Sequence, residues 1–313
     1  MSAGPRGLQA LLLALVLFAL PATARAQPSP RAAQPRSWSL ETSLTSVYDS
    51  NLGHQRDAND GYGVVAGAGV LWRNDPEDPS VEAEYEAALH SYSEGSQWDR
   101  VSHFARAGWE VELSPRWGLE IGGEGSLGGS SEDRELSDEI VLDPRISFEP
   151  TRSTRLRLSA AYRYKWFEDS SRDALSPYAE LELRQRLPGR WEVEGGSRYE
   201  LREAEDPENS FRRWTHSLAT GGRLGEDDAL RFEVKYRYRR YTERLVEIDV
   251  EGGPDFETLR RDRDWWIASA EWSHDLFAGI ALEVGYKFET RSSNDPDRAF
   301  DAHLLRVGTR ARW

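Results

Sequence analysis

Six histidines are the first residues to weigh for catalysis, and their spacing argues against it. His54, His90, His103, His216, His274 and His303 are scattered along the chain. None forms the His-x-x-x-His pair that seats a metal on one helix face, and no G-x-S-x-G element exposes a serine nucleophile. Cysteine is absent, which removes thiolate metal sites, thiol nucleophiles and disulfides. His54, close to Asp57 and Asp60, is the residue that a hydrolytic reading would have to use. A histidine in such a polar loop serves more often as hydrated surface. Glu247, Asp249, Glu251, Asp255 and Glu257 surround Gly252-Gly253-Pro254, an oxygen-rich set of the kind that suits Ca²⁺. The spacing does not follow the EF-hand loop, so a solvated or lipopolysaccharide-bridging acidic loop is the preferred reading. The adjoining Arg260, Arg261 and Arg263 could meet lipid headgroups or fold inward as a constriction. No cofactor or metal is expected, and the chain is not expected to be an enzyme.

The residues that remain for chemistry are charges, and they recur at every second position. One group is acidic: Glu82, Glu84, Glu86, Glu110, Glu120, Glu124 and Asp143. A second group, further along, is basic: Arg157, Arg163, Lys165, Arg198, Arg231, Lys235 and Arg237, joined near the end by Arg310. Arg106 and Arg145 interrupt the first group; Glu192, Glu194, Glu200 and Glu233 interrupt the second. The chain as a whole carries a net charge of −14, which disfavours nucleic acid as a partner because the phosphate backbone calls for net positive contact. Two charged walls facing each other would line a water-filled pore and set its ion selectivity. The alternative is a lumen plugged by mutual salt bridges.

Alternate placement demands strands. From residue 37 onward the dominant period is two. Ile280, Leu282, Val284, Tyr286 and Phe288 alternate with Glu283, Lys287 and Glu289, and Leu230, Phe232, Val234, Tyr236 and Tyr238 alternate with Arg231, Glu233, Lys235, Arg237 and Arg239. Fourteen segments follow this rule: 37–50, 61–73, 80–92, 99–113, 116–128, 139–149, 154–167, 176–187, 190–202, 211–224, 229–241, 264–275, 279–291 and 299–313. The segments 139–149 and 176–187 are the least regular, so the count is about fourteen, within twelve to sixteen. Most run to ten residues or more, about the length of a tilted strand that crosses a bilayer. The fold class expected is all-β, a single antiparallel transmembrane β-barrel.

Connections and aromatics agree with that reading. Even-to-odd connections are short, as at 114–115, 188–189, 225–228 and 276–278, with 74–79 the longest. Odd-to-even connections are mostly longer and more polar: 51–60, 129–138, 168–175, 203–210, 242–263 and 292–298. Bacterial barrels have short periplasmic turns and long external loops. With the apolar face turned to lipid, Trp38, Trp72, Trp117, Trp191 and Trp313 fall at periplasmic strand ends. Tyr48, Tyr62, Trp166, Trp214, Tyr238, Trp266, Phe288 and Phe300 fall toward the external ends. Amphipathic rings at both interfaces form two girdles of this kind.

The chain begins with Arg6, an apolar run over 10–20 and the small-residue triplet Ala24-Arg25-Ala26. This is the grammar of a secretory signal peptide, with cleavage expected after Ala26 and an apolar core too short to span a membrane as a helix. Residues 27–36 are Pro-rich and are expected to form a flexible periplasmic lead-in; 37–313 would be the barrel. The last strand, with Arg306, Gly308, Ala311 and Trp313, resembles the terminal assembly signal of outer-membrane barrels. That resemblance implies capture by the barrel assembly machinery through edge pairing. Tyr48-Asp49-Ser50-Asn51 resembles an element that opens several uncharacterised proteobacterial barrel and porin-like families, some of which accompany polysaccharide export or surface-lipoprotein display.

Together these readings give an outer-membrane porin-like channel for hydrophilic solutes as the expected function, with outer-membrane lipid and lipopolysaccharide as its surroundings. The alternative is a non-catalytic accessory barrel in polysaccharide export or envelope and surface-protein assembly. No outward stripe in the sequence names an oligomer interface.

Overall fold

The computed structural model describes residues 37–51, 60–74, 80–93, 99–128, 137–249, 256–277, 279–295 and 298–313. The leader, the 27–36 lead-in, His54 and the acidic loop tip with Glu251 and Asp255 lie outside the described residues, as do the side chains of Glu247, Asp249 and Glu257. Among the described residues there are fourteen strands: β1 Ser37–Asp49, β2 Gly61–Asn74, β3 Ser80–Tyr92, β4 Arg100–Ser114, β5 Trp117–Leu127, β6 Ser137–Thr151, β7 Thr154–Phe167, β8 Ala174–Leu187, β9 Trp191–Ala204, β10 Phe211–Leu224, β11 Asp228–Asp249, β12 Phe256–Phe277, β13 Ile280–Ser293 and β14 Phe300–Arg312. Each pairs antiparallel with its sequence neighbours, and β14 pairs with β1, so the sheet closes on itself and has no free edge. Closure satisfies the backbone groups that lipid cannot.

The barrel is inverted relative to a soluble one. On β7, Ser159, Ala161, Arg163 and Lys165 are shielded from solvent, whereas Leu158 and Tyr162 are 56% and 60% exposed. Leu44, Leu89, Leu181 and Leu218 are likewise exposed. Apolar residues turned outward and charged residues turned inward are what a lipid-facing wall around a polar lumen produces. All-β, antiparallel, closed and lipid-facing, this is the architecture of an outer-membrane β-barrel.

The connections alternate as expected. At the short-turn rim, β4 and β5 are joined across Pro115-Arg116, and Gly279 lies between β12 and β13 with φ of +82°. A Cβ on Gly279 would stand 2.5 Å from the Arg312 carbonyl oxygen, and Arg312 N–H donates to the Gly279 carbonyl at 2.7 Å. Only glycine tolerates both the left-handed backbone and that approach. At the other rim, which by the general rule is external, Asp169 and Asp206 cap short 3₁₀ turns by accepting from Ser171 and Glu208 N–H.

Two expectations are corrected. The segment 242–263 is not one long loop: β11 and β12 are each 22 residues long and pair out to Asp249 and Phe256, with a register shift between Arg240 and Leu245. Their continuation was obscured by consecutive charges, Glu243-Arg244 and Arg260-Arg261-Asp262-Arg263, that interrupt the period of two. Phe300 does not belong to the lipid-facing girdle. It is 7% exposed and points into the barrel beneath the Arg291 guanidinium, 4.1 Å from the ring centre.

The remaining girdle aromatics are placed outward in pairs. Trp38 and Trp72 face each other across β1–β2 with ring centres 6.3 Å apart, and Tyr48 and Tyr62 do so at 5.0 Å. Trp117 contacts Phe148 at 4.5 Å, Trp214 contacts Tyr199 at 4.4 Å, and Trp266 contacts Tyr236 at 4.8 Å. Trp166 packs against Tyr164 on its own strand, and Trp191 opens β9 at the opposite rim.

Candidate functional site in the barrel lumen

Ion pairs that reach over an intervening strand show which side chains share the interior. Arg157 on β7 approaches Glu120 on β5 at 3.8 Å, Arg163 on β7 approaches Glu200 on β9 at 3.6 Å, and Arg231 on β11 meets Glu194 on β9 at 2.8 Å. Such pairs form only across the concave face. They also show that the two walls are not bare. Glu120 lies within ion-pair reach of Arg106, Arg145 and Arg157. Asp143 accepts from Arg145 Nε at 2.7 Å, and Glu82 pairs with Arg73 at 2.8 Å. Glu84 lies opposite Arg106, and Glu110 opposite Glu120, in the strand registers. Glu124 also faces Arg106, from β5. Glu86 stays exposed.

On the basic side, Arg163 and Lys165 both approach Glu139, at 3.9 and 3.5 Å. Arg198 binds Glu180 through two nitrogens at 3.1 and 2.8 Å. Lys235 meets Glu233 at 3.1 Å, and Arg310 meets Glu283 at 2.6 Å. Arg237 is 8% exposed, among the buried inward charges of β11. The sequence-derived acidic and basic groups therefore interleave, each wall borrowing counter-charges from neighbouring strands.

The external half of the β7–β14 arc holds a feature absent from the sequence reading. Phe167, Arg202, Phe211, Arg239, Trp265, Arg291 and Phe300 alternate ring and guanidinium around the inner wall. Arg202 lies 4.9 Å from the Phe167 ring centre and 5.3 Å from that of Phe211. Arg239 lies 4.1 Å from Phe211 and 4.8 Å from Trp265. Arg291 lies 5.6 Å from Trp265 and 4.1 Å from Phe300. A flanking ring, Tyr241, packs 5.8 Å from Phe211 and carries Arg261 and Arg263, each 5.2 Å from its centre. Cation–π contact holds a guanidinium in place without cancelling its charge, and shielding from water strengthens it.

Two other parts of the lumen contrast with this ladder. Below it, toward the short-turn rim, a cavity of about 530 Å³ is lined by Arg213, Arg231, Lys235, Arg237 and Arg306, with Glu194 and Glu271 among them. Across the barrel, β1 and β2 present small inward residues, including Ser43, Gly67 and Gly69, beside the longer Glu41 and the β3 carboxylates Glu84 and Glu86.

The closing seam uses residues the sequence singled out for assembly. Leu40 and Trp313 exchange backbone hydrogen bonds of 3.0 and 2.9 Å, and Arg312 binds Glu41 at 2.6 Å. Gly308 sits opposite Thr45, where an added Cβ would come within 2.6 Å of the Leu44 carbonyl oxygen. Ala311 lies opposite Thr42, and Arg306 reaches Glu271 at 3.5 Å. At the external end of the seam, Asp49 and Asn51 are 3% and 5% exposed. Asp49 accepts from Asn51 N–H at 3.0 Å, Asn51 donates to the Asp301 carbonyl, and Ser50 exchanges two bonds with the His303 backbone. The Tyr48-Asp49-Ser50-Asn51 element is thus a clasp between the first and last strands.

Histidines within the described residues have structural partners. His90 bonds Ser102, His103 bonds Tyr85, His274 bonds Asp228, and His303 bonds Tyr286. His216 stacks between Trp214 and Tyr236.

Residues missed by the sequence reading are the inward aromatics Phe167, Tyr178, Phe211, Tyr241 and Trp265. One signal could have found them: each falls in phase with charged positions of its own strand, as Tyr241 does with Arg237 and Arg239.

No protein-family model and no curated protein sequence matches the chain. Solved structures do match it in fold. The outer-membrane channel DcaP of Acinetobacter baumannii superposes with a TM-score of 0.55 at 9% identity, covering 92% of this chain and 100% of that one. The anion-selective porin from Comamonas acidovorans gives 0.53 at 8% identity, covering 89% and 99%. The outer-membrane protein OmpT of Vibrio cholerae, in a trimer form, gives 0.53 at 10% identity, covering 90% and 100%. At these identities the likeness is one of fold: this chain is built as an outer-membrane barrel similar to those three.

Proposed function

We propose that this chain is a porin-like channel of the outer membrane that passes hydrophilic solutes without catalysis. The observation carrying the reading is the charged cavity of about 530 Å³ inside a closed barrel. Half-exposed arginines such as Arg231 and Arg306 there (47% and 46%) face water rather than packed protein. The small inward residues Ser43, Gly67 and Gly69 of β1 and β2 leave room beside the acidic side chains of β3. Similarity in fold to an outer-membrane channel and to an anion-selective porin supports the same reading. Export would use the leader 1–26, and insertion the barrel assembly machinery acting on the seam strand with Arg306, Gly308, Ala311 and Trp313. The direct experiment is single-channel recording in a planar bilayer. Discrete conductance steps are expected, and their absence would sink the channel reading.

A second reading is favoured by the β11–β12 hairpin. Strands of 22 residues are about twice the length needed to cross a bilayer, so this hairpin projects beyond the rim as a contact surface. An accessory role in polysaccharide export or envelope assembly would use that surface. It predicts that shortening the hairpin abolishes a cellular phenotype while leaving conductance unchanged.

A further inference from the structure

Two arginines stand directly opposite each other on the outward wall of the barrel. Arg212 of β10 and Arg240 of β11 are register partners, and both are exposed on the face that carries Trp214, Leu218, Val234 and Tyr238. Directly opposed residues on one face of an antiparallel pair hold their Cβ atoms about 5 Å apart, where like charges repel. On its other side Arg212 meets the apolar Leu201 of β9. Arg240 has Asp262 opposite it on β12, at 3.8 Å, and the same carboxylate accepts from the Tyr238 hydroxyl at 3.2 Å. The outward surface at this level is therefore two guanidiniums side by side, flanked by one shared carboxylate. Further out on β12 Arg260 is also exposed, whereas Arg261 and Arg263 are buried in the barrel.

Depth in the membrane decides what meets this pair. Trp214 and Tyr238, themselves directly opposed, are the next outward residues toward the membrane centre. Rings of the girdle sit at the membrane–water interface, and two residues of strand carry the guanidiniums about 6–7 Å beyond them. That is the level of the headgroup phosphates in the external leaflet. Because both side chains point away from the lumen, a solute in transit does not meet them and a lipid does. Guanidinium forks match phosphate oxygens two bonds at a time, and a phosphate held between two forks offsets their mutual repulsion. Below the rings, Leu218 and Val234 are opposed on the same face, 60% and 46% exposed, and suit acyl chains.

We propose that Arg212 and Arg240 form a lipid-facing site for the phosphate groups of a lipopolysaccharide headgroup, with Arg260 as a further contact above them. The site is independent of whether the lumen conducts.

Urea unfolding of the full-length protein in vesicles with and without lipopolysaccharide tests it. In phosphatidylcholine vesicles Arg212→Gln removes a repulsion and is expected to be at least as stable as the native chain. In vesicles containing lipopolysaccharide the order is expected to reverse. Native mass spectrometry of the detergent-folded protein supplies the affinity for lipid A. Arg212→Gln and Arg240→Gln are each expected to lower it about fivefold, the weight of one unit charge about 4 Å from a phosphate in water. Should Arg240→Gln fail to fold, Arg212→Lys replaces it; keeping the charge without the fork, it is expected to weaken binding less than Arg212→Gln does. The same stability order in both vesicles overturns the inference, as does equal binding of lipid A and of lipid A stripped of its phosphates. Phosphatidylglycerol bound as tightly as lipid A, with the same dependence on both arginines, also overturns it and assigns the pair to phospholipid.

Discussion

Arg213 of β10 donates to Glu200 of β9 at 2.6 Å, and both side chains are almost wholly shielded, 1% and 2% exposed. They stand directly opposite in the strand register, and Arg163 approaches the same carboxylate from β7 at 3.6 Å. Glu200 therefore compensates two guanidiniums at once. Replacing it by alanine leaves them shielded without that carboxylate, a change that costs about 3–5 kcal/mol when a buried pair is broken. The double variant Glu200→Leu/Arg213→Leu removes donor and acceptor together and is expected to recover much of the loss. Urea unfolding of barrels folded into lipid vesicles measures both. Equal stability of Glu200→Ala and the native chain would refute the assignment.

The outward orientation of the apolar face makes a prediction opposite to that for a soluble protein. Leu218 on β10 is 60% exposed and lies four residues from the girdle residue Trp214. On a water-facing wall Leu218→Arg would be nearly neutral. On a lipid-facing wall near the midplane it is expected to cost about 2–4 kcal/mol. Ser217→Arg, one residue away and facing the lumen, is expected to cost far less. The pair of variants, compared in the same vesicle assay, reads the orientation of the whole barrel.

The strand number and phase were legible in the sequence because the lipid face and the lumen differ so sharply in polarity over most of each strand. Runs such as Leu156, Leu158 and Ala160 against Arg155 and Arg157 allow only one assignment of faces. Legibility failed where that contrast disappears. At the external mouth the inward face is aromatic as well as charged, so a rule that turns every ring outward misplaced Phe300 and passed over Phe211 and Trp265. Between 242 and 263 the runs Glu243-Arg244 and Arg260-Arg261-Asp262-Arg263 break the period of two, so the strand continuation read as loop. The pairing of charges was also illegible. Which glutamate meets which arginine depends on register and on contacts across two strands, as with Arg231 and Glu194, and neither is encoded in local spacing.

Gly308 tests the closing seam. The close approach of β1 leaves no room for a side chain, since a Cβ would stand 2.5 Å from Thr45 Oγ1 and 2.6 Å from the Leu44 carbonyl oxygen. The hydroxyl could turn aside, but the backbone oxygen belongs to the β1–β14 ladder and cannot. Gly308→Val is expected to force the strands apart, with a cost of about 1–3 kcal/mol for overpacking, and to slow closure. Heat-modifiable migration on gels, followed over time after dilution from urea, measures it. Gly195→Val is the control, because nothing lies within 4 Å of a Cβ built there.

The clasp at the external end of the seam is separable from the rest of it. Asn51 N–H is satisfied by Asp49, its side chain reaches the Asp301 carbonyl, and Ser50 bonds the His303 backbone in both directions. Asp49 and Asn51 are both buried, so losing either partner strands a shielded polar group at a cost of about 1–3 kcal/mol. Because β1 and β14 remain zipped below by Arg312 with Glu41 and by Leu40 with Trp313, the barrel should stay closed and only its external end should fray. Asn51→Ala is therefore expected to speed amide exchange at Ser50 and His303 by roughly 5–30-fold, the factor for one or two kcal/mol, while amides near Thr42 and Arg310 stay protected. Uniform acceleration along the whole seam would mean that the element sustains closure itself; no acceleration would mean that it holds nothing.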